Sequence, residues 1–319
     1  MAQESGSRAR RRAAGAMGCS TTLAVLSFNT FLALTTLPPY IVAKASVLIS
    51  CVKPLNPLSC RRRAVTNTTC LCWRLLWNLC CWIGLEVDGL REFRQSLGAS
   101  GKPAVIVSNH LSFLDTLLLV PLTPLRRVAD VKMFVSSHLT KIPVLRTIIG
   151  VMGHVVVPFK PGNRLGSFEL DRELMAVRQQ ELEDHVRAGG IAAWFPEGQM
   201  NTGDPREVAT FRAGGFALPV RVDVEIWCAA FTGNSDCWPR SAKAGGRPSR
   251  IRGKIFKLCD SSWAAVAKEA GGPGAQDEKQ ASMFLANHAH DLVQRAVSEL
   301  AAEAPAGAPV DPLRQSLLQ

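Results

Sequence analysis

Apolar and polar positions divide the chain into a long apolar start and a body in which strand-like and helix-like segments alternate. In the body, short apolar runs bounded by turn residues predict strands at 85–90, 103–110, 128–136, 154–159, 191–198 (running into a turn), 224–231 and 250–258. Segments with helical spacing predict helices at 112–120, 138–153, 167–187 and 280–303. This alternation is typical of an α/β domain.

The first 66 residues differ from this body in composition. Residues 1–16 hold four arginines and predict a basic disordered tail. Residues 17–66 predict a hydrophobic membrane-anchoring segment, because no charged residue occurs from Ala13 to Ala43. The apolar stretch is long and lacks a convincing small-x-small cleavage site, which favours an uncleaved anchor over a signal peptide.

The topology of this anchor has two readings. Pro38 and Pro39 interrupt the apolar run and suggest a hairpin or re-entrant pair, since neither half alone is a clean span of about 20 residues. In a hairpin the arginines and the following domain both face the cytosol, whereas a single span places them on opposite sides. A glycan on Asn67, which begins an Asn-x-Thr sequon, would contradict the hairpin.

The next segment, at 69–83, predicts an amphipathic helix rich in tryptophan, with Arg74 as its only charge. Its indoles suit either a membrane interface or a core helix, and both readings stay open. Seven of the ten cysteines lie between Cys19 and Cys81, and none of these seven is spaced as Cys-x-x-Cys. That pattern favours buried thiols over a zinc site, redox chemistry or palmitoylation.

Length and charge limit the remaining possibilities. The 319 residues predict one large domain at 67–303, followed by a flexible tail at 304–319. The chain is 47% apolar, which fits a globular body with a hydrophobic attachment. A net charge of +11 is compatible with anionic lipid, phosphorylated substrates or nucleic acid, but no nucleic-acid recognition motif accompanies it.

A histidine and an aspartate stand five positions apart in "SNHLSFLD" at 108–115. On one helix they would lie roughly 140° apart, so they meet only if His110 ends the strand and Asp115 begins the helix. A carboxylate on one imidazole nitrogen leaves the other as an acceptor, as a general base requires. The alternative is a capping box, in which Ser112 and Asp115 only cap the helix.

A second stretch, "WFPEG" at 194–198, places a carboxylate and backbone amides in a turn at a strand end. Alone, it favours an ordinary surface turn. Together, the two stretches resemble the glycerolipid acyltransferase family, which includes lysophosphatidic acid and glycerol-3-phosphate acyltransferases. The resemblance covers about 70–260, with a further match in "FRAGGF" at 211–216, and the residues that fit the first and third family blocks are Asn109, His110, Asp115, Phe195, Pro196, Glu197 and Gly198.

The resemblance implies a fold, a reaction and substrates. It implies a mixed sheet flanked by helices, similar to glycerol-3-phosphate acyltransferase, and acyl-CoA as co-substrate. His110 would take the proton of an acceptor hydroxyl, on a lysophospholipid or glycerol phosphate, while Asp115 orients the imidazole. Asn109 and the 195–198 turn would belong to the substrate site. We expect neither a cofactor nor a metal, because the remaining histidines lack ligand-like neighbours.

The chain departs from the family at the second block, whose arginine is replaced by Phe159. Lys160, Arg164 and Arg212 are then the candidates to supply positive charge near phosphate or CoA. The departure motivates an alternative, a catalytically inactive, membrane-bound, lipid-binding member of the same fold. The expected partners are membrane lipids and not nucleic acid. The expected location is the endoplasmic reticulum membrane with a cytosolic catalytic face, or a plastid membrane.

Overall fold

The computed structural model describes residues 2–49, 57–99, 101–161, 168–269 and 277–302, with side chains from residue 20 onward except those of residues 161, 168 and 169. Its helices are α1 (Ala2–Leu48), α2 (Leu58–Leu79), α3 (Leu90–Ser96), α4 (Leu114–Leu122), α5 (Leu125–Val128), α6 (Pro143–Met152), α7 (Arg172–Arg187), α8 (Ala217–Arg221), α9 (Asn234–Cys237), α10 (Ser262–Glu269) and α11 (Glu278–Ala302). Short 3-10 helices lie at Leu139–Lys141 and Ala213–Phe216.

The strands are β1 (Ile83–Asp88), β2 (Ala104–Ser108), β3 (Val131–Ser136), β4 (Val155–Val157), β5 (Phe159–Pro161), β6 (Phe168–Leu170), β7 (Ile191–Trp194), β8 (Glu225–Thr232) and β9 (Ser249–Cys259). Seven of them form one sheet in the order β1-β9-β8-β2-β7-β3-β4. Neighbours from β8 to β4 are parallel, β8 and β9 are antiparallel, and β1 is parallel to β9. The predicted mixed α/β sheet is therefore confirmed.

The central strand β2 is buried on both faces and separates two cores. Ala104 and Ile106 belong to the core that includes residues of α2, α3 and α4, whereas Val105 and Val107 belong to the core that includes residues of α11. Successive side chains of a strand point to opposite faces, which explains why this strand is apolar at every core position. Because β2, β7 and β8 are parallel neighbours, their carboxyl ends meet at one edge of the sheet.

The N-terminal helix differs from the prediction. The hairpin predicted at Pro38 and Pro39 is wrong, because α1 continues through both prolines to Leu48. By length and composition alone, the part of α1 from Ser20 to Leu48 is long and apolar enough to cross a membrane. The backbone of α1 also includes most of the predicted tail at 1–16, whose alanines and arginines are good helix formers. The domain boundary at residue 16 stays a prediction.

One face of α1 packs on the domain. Phe28 is fully buried, with its ring 6.4 Å from that of Trp77 and 6.1 Å from that of Trp238. The Asn29 amide donates to the carbonyl oxygen of Gly245 at 3.0 Å. The opposite face leaves large apolar side chains exposed, at Leu23, Leu26, Leu34, Leu37 and Ile41. The helix is therefore joined to the folded body along one face, and its apolar free face is left for another environment.

The segment predicted as a tryptophan-rich helix at 69–83 forms the second half of α2 and the turn into β1, and the buried face of α2 agrees with the core-helix reading. Trp77 is buried and its indole N–H donates to the carbonyl of Leu117 at 2.8 Å. Arg74 is also buried, and its guanidinium donates to the carbonyls of Pro121 and Thr123, both at 2.9 Å. Leu71 and Leu75 are exposed. Hydrogen bonds from α2 thus fix the C-terminal end of α4.

Between β4 and α7 the chain forms a hairpin that the periodicity does not predict. The strand predicted at 154–159 ends at Val157, and β5 pairs antiparallel with β6 as a separate two-stranded sheet. The helix predicted from residue 167 begins at Arg172, because the Asp171 carboxylate accepts the Leu174 N–H at 3.1 Å and caps it. The tail predicted at 304–319 lies outside the described residues.

Candidate active site

The site begins where β2 ends and the chain turns into α4. His110 follows the strand by two residues, and Asp115 is the second residue of the helix. The imidazole Nδ1 lies 2.8 Å from Asp115 Oδ2. The Asp115 side chain is fully buried, whereas about a fifth of the His110 side chain is exposed. The corner therefore gives the histidine a buried carboxylate on one side and access to solvent on the other.

The Asp115 carboxylate is bound on both oxygens. Oδ2 accepts the N–H groups of Leu111 and Ser112 at 2.8 and 3.0 Å, in addition to the imidazole. Oδ1 accepts the side-chain amide of Asn234. The Ser112 hydroxyl meanwhile accepts the Leu114 N–H at 3.2 Å. Only half of the predicted capping box is present, because Asp115 accepts the Ser112 N–H while the Ser112 hydroxyl binds Leu114 and not Asp115. The same carboxylate also binds the imidazole, so the two readings of this stretch do not exclude each other.

With Nδ1 facing the carboxylate, Nε2 is the nitrogen left for a reacting group. The structure records no hydrogen bond to Nε2 from any residue that it describes. When Nδ1 donates its proton to the carboxylate, Nε2 is an acceptor, which is the tautomer that a general base requires.

The "WFPEG" turn follows β7, the strand beside β2, and covers the histidine. The Phe195 ring stacks on the imidazole, with centroids 4.2 Å apart and planes 12° from parallel. The Asn201 N–H donates to the carbonyl of His110 at 2.7 Å. Phe195 and the backbone after the turn therefore hold the imidazole in one orientation between the two strand ends.

Glu197 supports this turn from inside. One carboxylate oxygen accepts the His110 N–H at 2.6 Å, and the other accepts the Ala209 N–H at 3.3 Å. The side chain is 3% exposed. Burial raises the pKa of Glu197 to about 7, although the N–H donors from His110 and Ala209 act in the opposite direction. Both oxygens bind backbone amides, so the geometry gives Glu197 a supporting place beneath His110.

Gly198 and Arg212 lie against each other at the end of the turn. Gly198 has a φ of +74°, and a β-carbon there would come within 2.8 Å of Arg212 Nε. The Arg212 N–H donates to the carbonyl of Pro196 at 2.9 Å. A residue without a side chain thus lets the guanidinium lie directly over the turn. Arg212 is the predicted cation that the structure places against the 195–198 turn.

Asn109 is buried and faces the sheet. Its amide donates to the carbonyl of Phe231 and accepts the Phe231 N–H, both at 2.9 Å. The side chain extends the pairing of β2 with β8 beyond the last strand residue. This contact fixes the start of the His110 corner, whereas a direct contact of Asn109 with substrate stays a prediction.

Of the other two predicted cations only Lys160 is described, and the structure records no contact between Lys160 and the histidine. Lys160 is exposed on β5, opposite Glu169 of β6. Phe159, which stands at the family's arginine position, is about two-fifths exposed, and its ring lies 6.4 Å from that of His138. Arg164 lies outside the described residues. Their predicted roles at a phosphate therefore stay predictions.

Two residues at this edge were not predicted from the sequence. Asn234 follows β8 and reaches Asp115, and Arg240 donates to the carbonyl of Met200 at 2.8 Å while remaining exposed. The available signal was positional, because the strand predicted at 224–231 ends beside the strand predicted at 103–110 in a parallel sheet. Neither residue type is distinctive enough to be found by a motif.

Comparisons with known proteins show similarity to acyltransferases. Residues 84–232 match the family model "Acyltransferase". A 1-acyl-sn-glycerol-3-phosphate acyltransferase of Chlamydomonas reinhardtii is 26% identical over 185 residues, covering 54% of this chain and 50% of that protein. A chloroplastic 1-acyl-sn-glycerol-3-phosphate acyltransferase of Arabidopsis thaliana is 25% identical over 182 residues, covering 57% and 45%. The chain spans about half the length of these curated relatives.

A solved structure is similar over nearly all of the fold. The crystal structure of the 1-acyl-sn-glycerophosphate acyltransferase PlsC from Thermotoga maritima aligns with a TM-score of 0.64. The alignment covers 91% of this chain and 99% of that chain, at 17% identity. At this identity the likeness concerns the fold alone. It agrees with the mixed sheet and its flanking helices.

Proposed function

We propose that the chain is a glycerolipid acyltransferase that transfers a fatty acyl group from acyl-CoA to a hydroxyl of a lysophospholipid or a glycerol phosphate, and the match of residues 84–232 to the family model "Acyltransferase" supports this. The observation that carries the proposal is the His110–Asp115 pair, in which Nδ1 meets a buried carboxylate and Nε2 is directed away from it. The names of the two curated relatives make 1-acylglycerol-3-phosphate the first acceptor to test.

In the proposed reaction, His110 Nε2 removes the proton from the acceptor hydroxyl as its oxygen attacks the thioester carbonyl. The buried Asp115 carboxylate stabilises the imidazolium that forms. The tetrahedral intermediate collapses with cleavage of the C–S bond, and the imidazolium returns its proton to the leaving CoA thiolate. The products are the ester and free CoA, so no acyl-enzyme is required.

The surrounding residues divide into two proposed groups. Phe195, Pro196 and Gly198 shape the wall beside the imidazole, and Arg212 supplies positive charge over that wall for a phosphate. Glu197 and Asn109 hold the two strand ends from within the protein. Lys160 and Arg164 are the further candidates for phosphate or CoA, on the segment after β4.

We further propose that the protein works on a membrane. The exposed apolar face of α1 and the exposed leucines of α2 give the chain a hydrophobic surface suited to lipid. A helix that also packs on the catalytic body would keep the site close to the lipid surface that holds its substrates. The proposed location is the endoplasmic reticulum with a cytosolic catalytic face, or a plastid membrane.

The test is acyl transfer by the purified full chain from labelled oleoyl-CoA to a panel of lysophospholipids and glycerol 3-phosphate. We expect His110→Ala to lower turnover roughly 10²- to 10⁴-fold, as loss of a general base does. His288→Ala is the matched control, because His288 is exposed on α11, and it should keep native turnover.

Turnover that persists in His110→Ala would exclude His110 as the base. Absence of turnover in the native chain across the whole panel, with binding to lipid vesicles retained, would instead favour the inactive lipid-binding alternative. That alternative is motivated by Phe159, which replaces the family's second-block arginine.

A further inference from the structure

We propose that Asn234 is a positioning residue that holds the Asp115 carboxylate in its orientation toward His110. The proposal rests on the proposed function, since it concerns the group that stabilises the protonated base. It assigns a role to a residue outside the 109–115 and 195–198 stretches. The supporting observations are the burial of both side chains, their direct hydrogen bond and the turn that brings them together.

The two carboxylate oxygens of Asp115 differ in their hydrogen-bond donors. Oδ2 is surrounded by the imidazole and the N–H groups of Leu111 and Ser112. For Oδ1 the described residues provide one donor, Asn234 Nδ2. Because Asp115 is fully buried, an oxygen that lost this donor would have no water to replace it. Asn234 therefore supplies the hydrogen bond to the carboxylate oxygen that the Leu111 and Ser112 amides do not reach.

The backbone at the end of β8 places Asn234 with little freedom. Gly233 adopts a φ of +76°, and a β-carbon there would lie 2.1 Å from the carbonyl oxygen of Arg250. Such a turn accepts only glycine. One residue later, the Asn234 carbonyl accepts the Trp238 N–H at 3.0 Å. The side chain is thus aimed at Asp115 by the strand end itself.

The amide orientation follows from charge. With the amide reversed, its oxygen would face the carboxylate oxygen, which is repulsive, so the NH₂ group faces Asp115. In that orientation Asn234 Oδ1 is buried with no hydrogen-bond partner among the described residues. A buried amide whose oxygen accepts no hydrogen bond is unfavourable for stability. Its hydrogen bond to Asp115 accounts for the presence of a polar residue here.

The chemical consequence is specific to the charged state of the pair. As the imidazolium forms, the negative charge on Asp115 has to remain beside it, and a neutral or rotated carboxyl group stabilises it less. Loss of the Asn234 donor should therefore lower kcat more than it changes KM. A hydrogen bond to a charged group of this kind corresponds to a decrease in kcat of roughly 10- to 100-fold.

Two substitutions of similar size separate this role from simple packing. Asn234→Leu removes the donor at every pH. Asn234→Asp replaces the donor with a carboxyl group that donates only while it is protonated, and that repels Asp115 once it is ionised. We expect Asn234→Leu to be slow across the pH range, whereas Asn234→Asp should approach native kcat at low pH and lose it as pH rises. Ser262→Ala is the control, because Ser262 is a fully buried hydrogen-bonding residue after β9 and away from His110.

The outcomes are decisive either way. Native kcat in Asn234→Leu would overturn the proposal, as would parallel pH profiles for Asn234→Leu and Asn234→Asp. The proposal would also be overturned if both Asn234 variants lost kcat only in step with a fall in melting temperature, and Ser262→Ala showed the same fall and the same loss. A pH-dependent recovery of kcat that is confined to Asn234→Asp would support it.

A second measurement does not depend on turnover. The His110 Nδ1–H proton bound to a carboxylate should give a low-field proton resonance that is absent from His110→Ala. We expect this resonance to shift or disappear in Asn234→Leu and to be unchanged in Ser262→Ala. If the native chain shows no acyl transfer, the proposed function fails, while this resonance still decides whether Asn234 controls the pair. An unchanged resonance in Asn234→Leu would overturn the proposal.

Discussion

At the scale of single residues, the buried carboxyl of Glu197 makes the stability of the protein depend on pH. Its folded pKa of about 7 lies above the ordinary value of 4.5, so the folded state binds this proton more tightly than the unfolded state does. The stabilisation is fully present below pH 4.5 and is lost as pH rises through 7, by roughly 3 kcal/mol. Urea unfolding at pH 4.5 and pH 8 measures this loss.

Glu197→Gln should remove that pH dependence, because glutamine carries no proton to lose. The substitution should also lower the free energy of unfolding by an amount that does not depend on pH, since one backbone N–H then faces an amide NH₂ group. Glu207→Gln is the control on the same segment and should keep the native pH dependence, because Glu207 is exposed. Equal pH dependence in the native chain and Glu197→Gln would show that Glu197 is not the group responsible.

Gly198 provides a second prediction at this scale. Gly198→Ala should destabilise the fold by about 1–2 kcal/mol, because its φ of +74° is strained for alanine, and should raise the KM for a phosphate acceptor by displacing Arg212. Gly150→Ala is the control, since Gly150 lies in α6 with open space around it. It should stabilise the helix by roughly 0.5–1 kcal/mol. Thermal unfolding and a KM measurement on each variant test the pair.

The sequence predicts the His110–Asp115 contact because both residues lie within one strand-to-helix corner. It does not predict that Glu197 serves the backbone of His110, since a motif identifies a residue type and not the atoms that it contacts. It does not predict Asn234 because that residue stands 119 positions from Asp115. Contacts of this kind follow from the order of strands in the sheet, which local patterns leave open.

At the scale of elements, the buried Arg74 connects α2 to the end of α4. Arg74→Met should destabilise the protein by about 2–4 kcal/mol, because the carbonyls of Pro121 and Thr123 lose a charged donor. Arg63→Met, on the exposed side of the same helix, should change stability by less than about 0.5 kcal/mol. Denaturant unfolding of both variants provides the comparison, and equal effects would contradict the assigned role.

Element existence and type follow well from periodicity, whereas boundaries and short hairpins do not. β2 and β8 were predictable because each is a continuous apolar run buried on both faces. The β5–β6 pair was not, because three-residue strands carry too few side chains to show a period. The hairpin reading of α1 fails because proline disfavours a helix interior locally, and packing of the helix on the body outweighs that preference.

At the scale of the whole molecule, α1 is expected to serve both the folded body and the membrane. Phe28→Ala should destabilise the protein by about 3–5 kcal/mol, since the ring is fully buried between Trp77 and Trp238. Leu34→Ala should leave stability within about 0.5 kcal/mol but weaken vesicle binding, because Leu34 is exposed. Thermal unfolding and vesicle sedimentation separate the two effects. Destabilisation by both variants alike would contradict the two-faced arrangement.

The strand order also has a consequence for the order of events in folding. Glu197 bonds a residue 87 positions away, and Ser112 donates to the carbonyl of Trp238, 126 positions away. Contacts that close such long loops form slowly, after local helices are made. A nascent chain that ends before β8 therefore contains His110 and Asp115 but lacks the contacts that fix their orientation. In refolding from denaturant, helical signal should return first and acyl transfer only in the last kinetic phase.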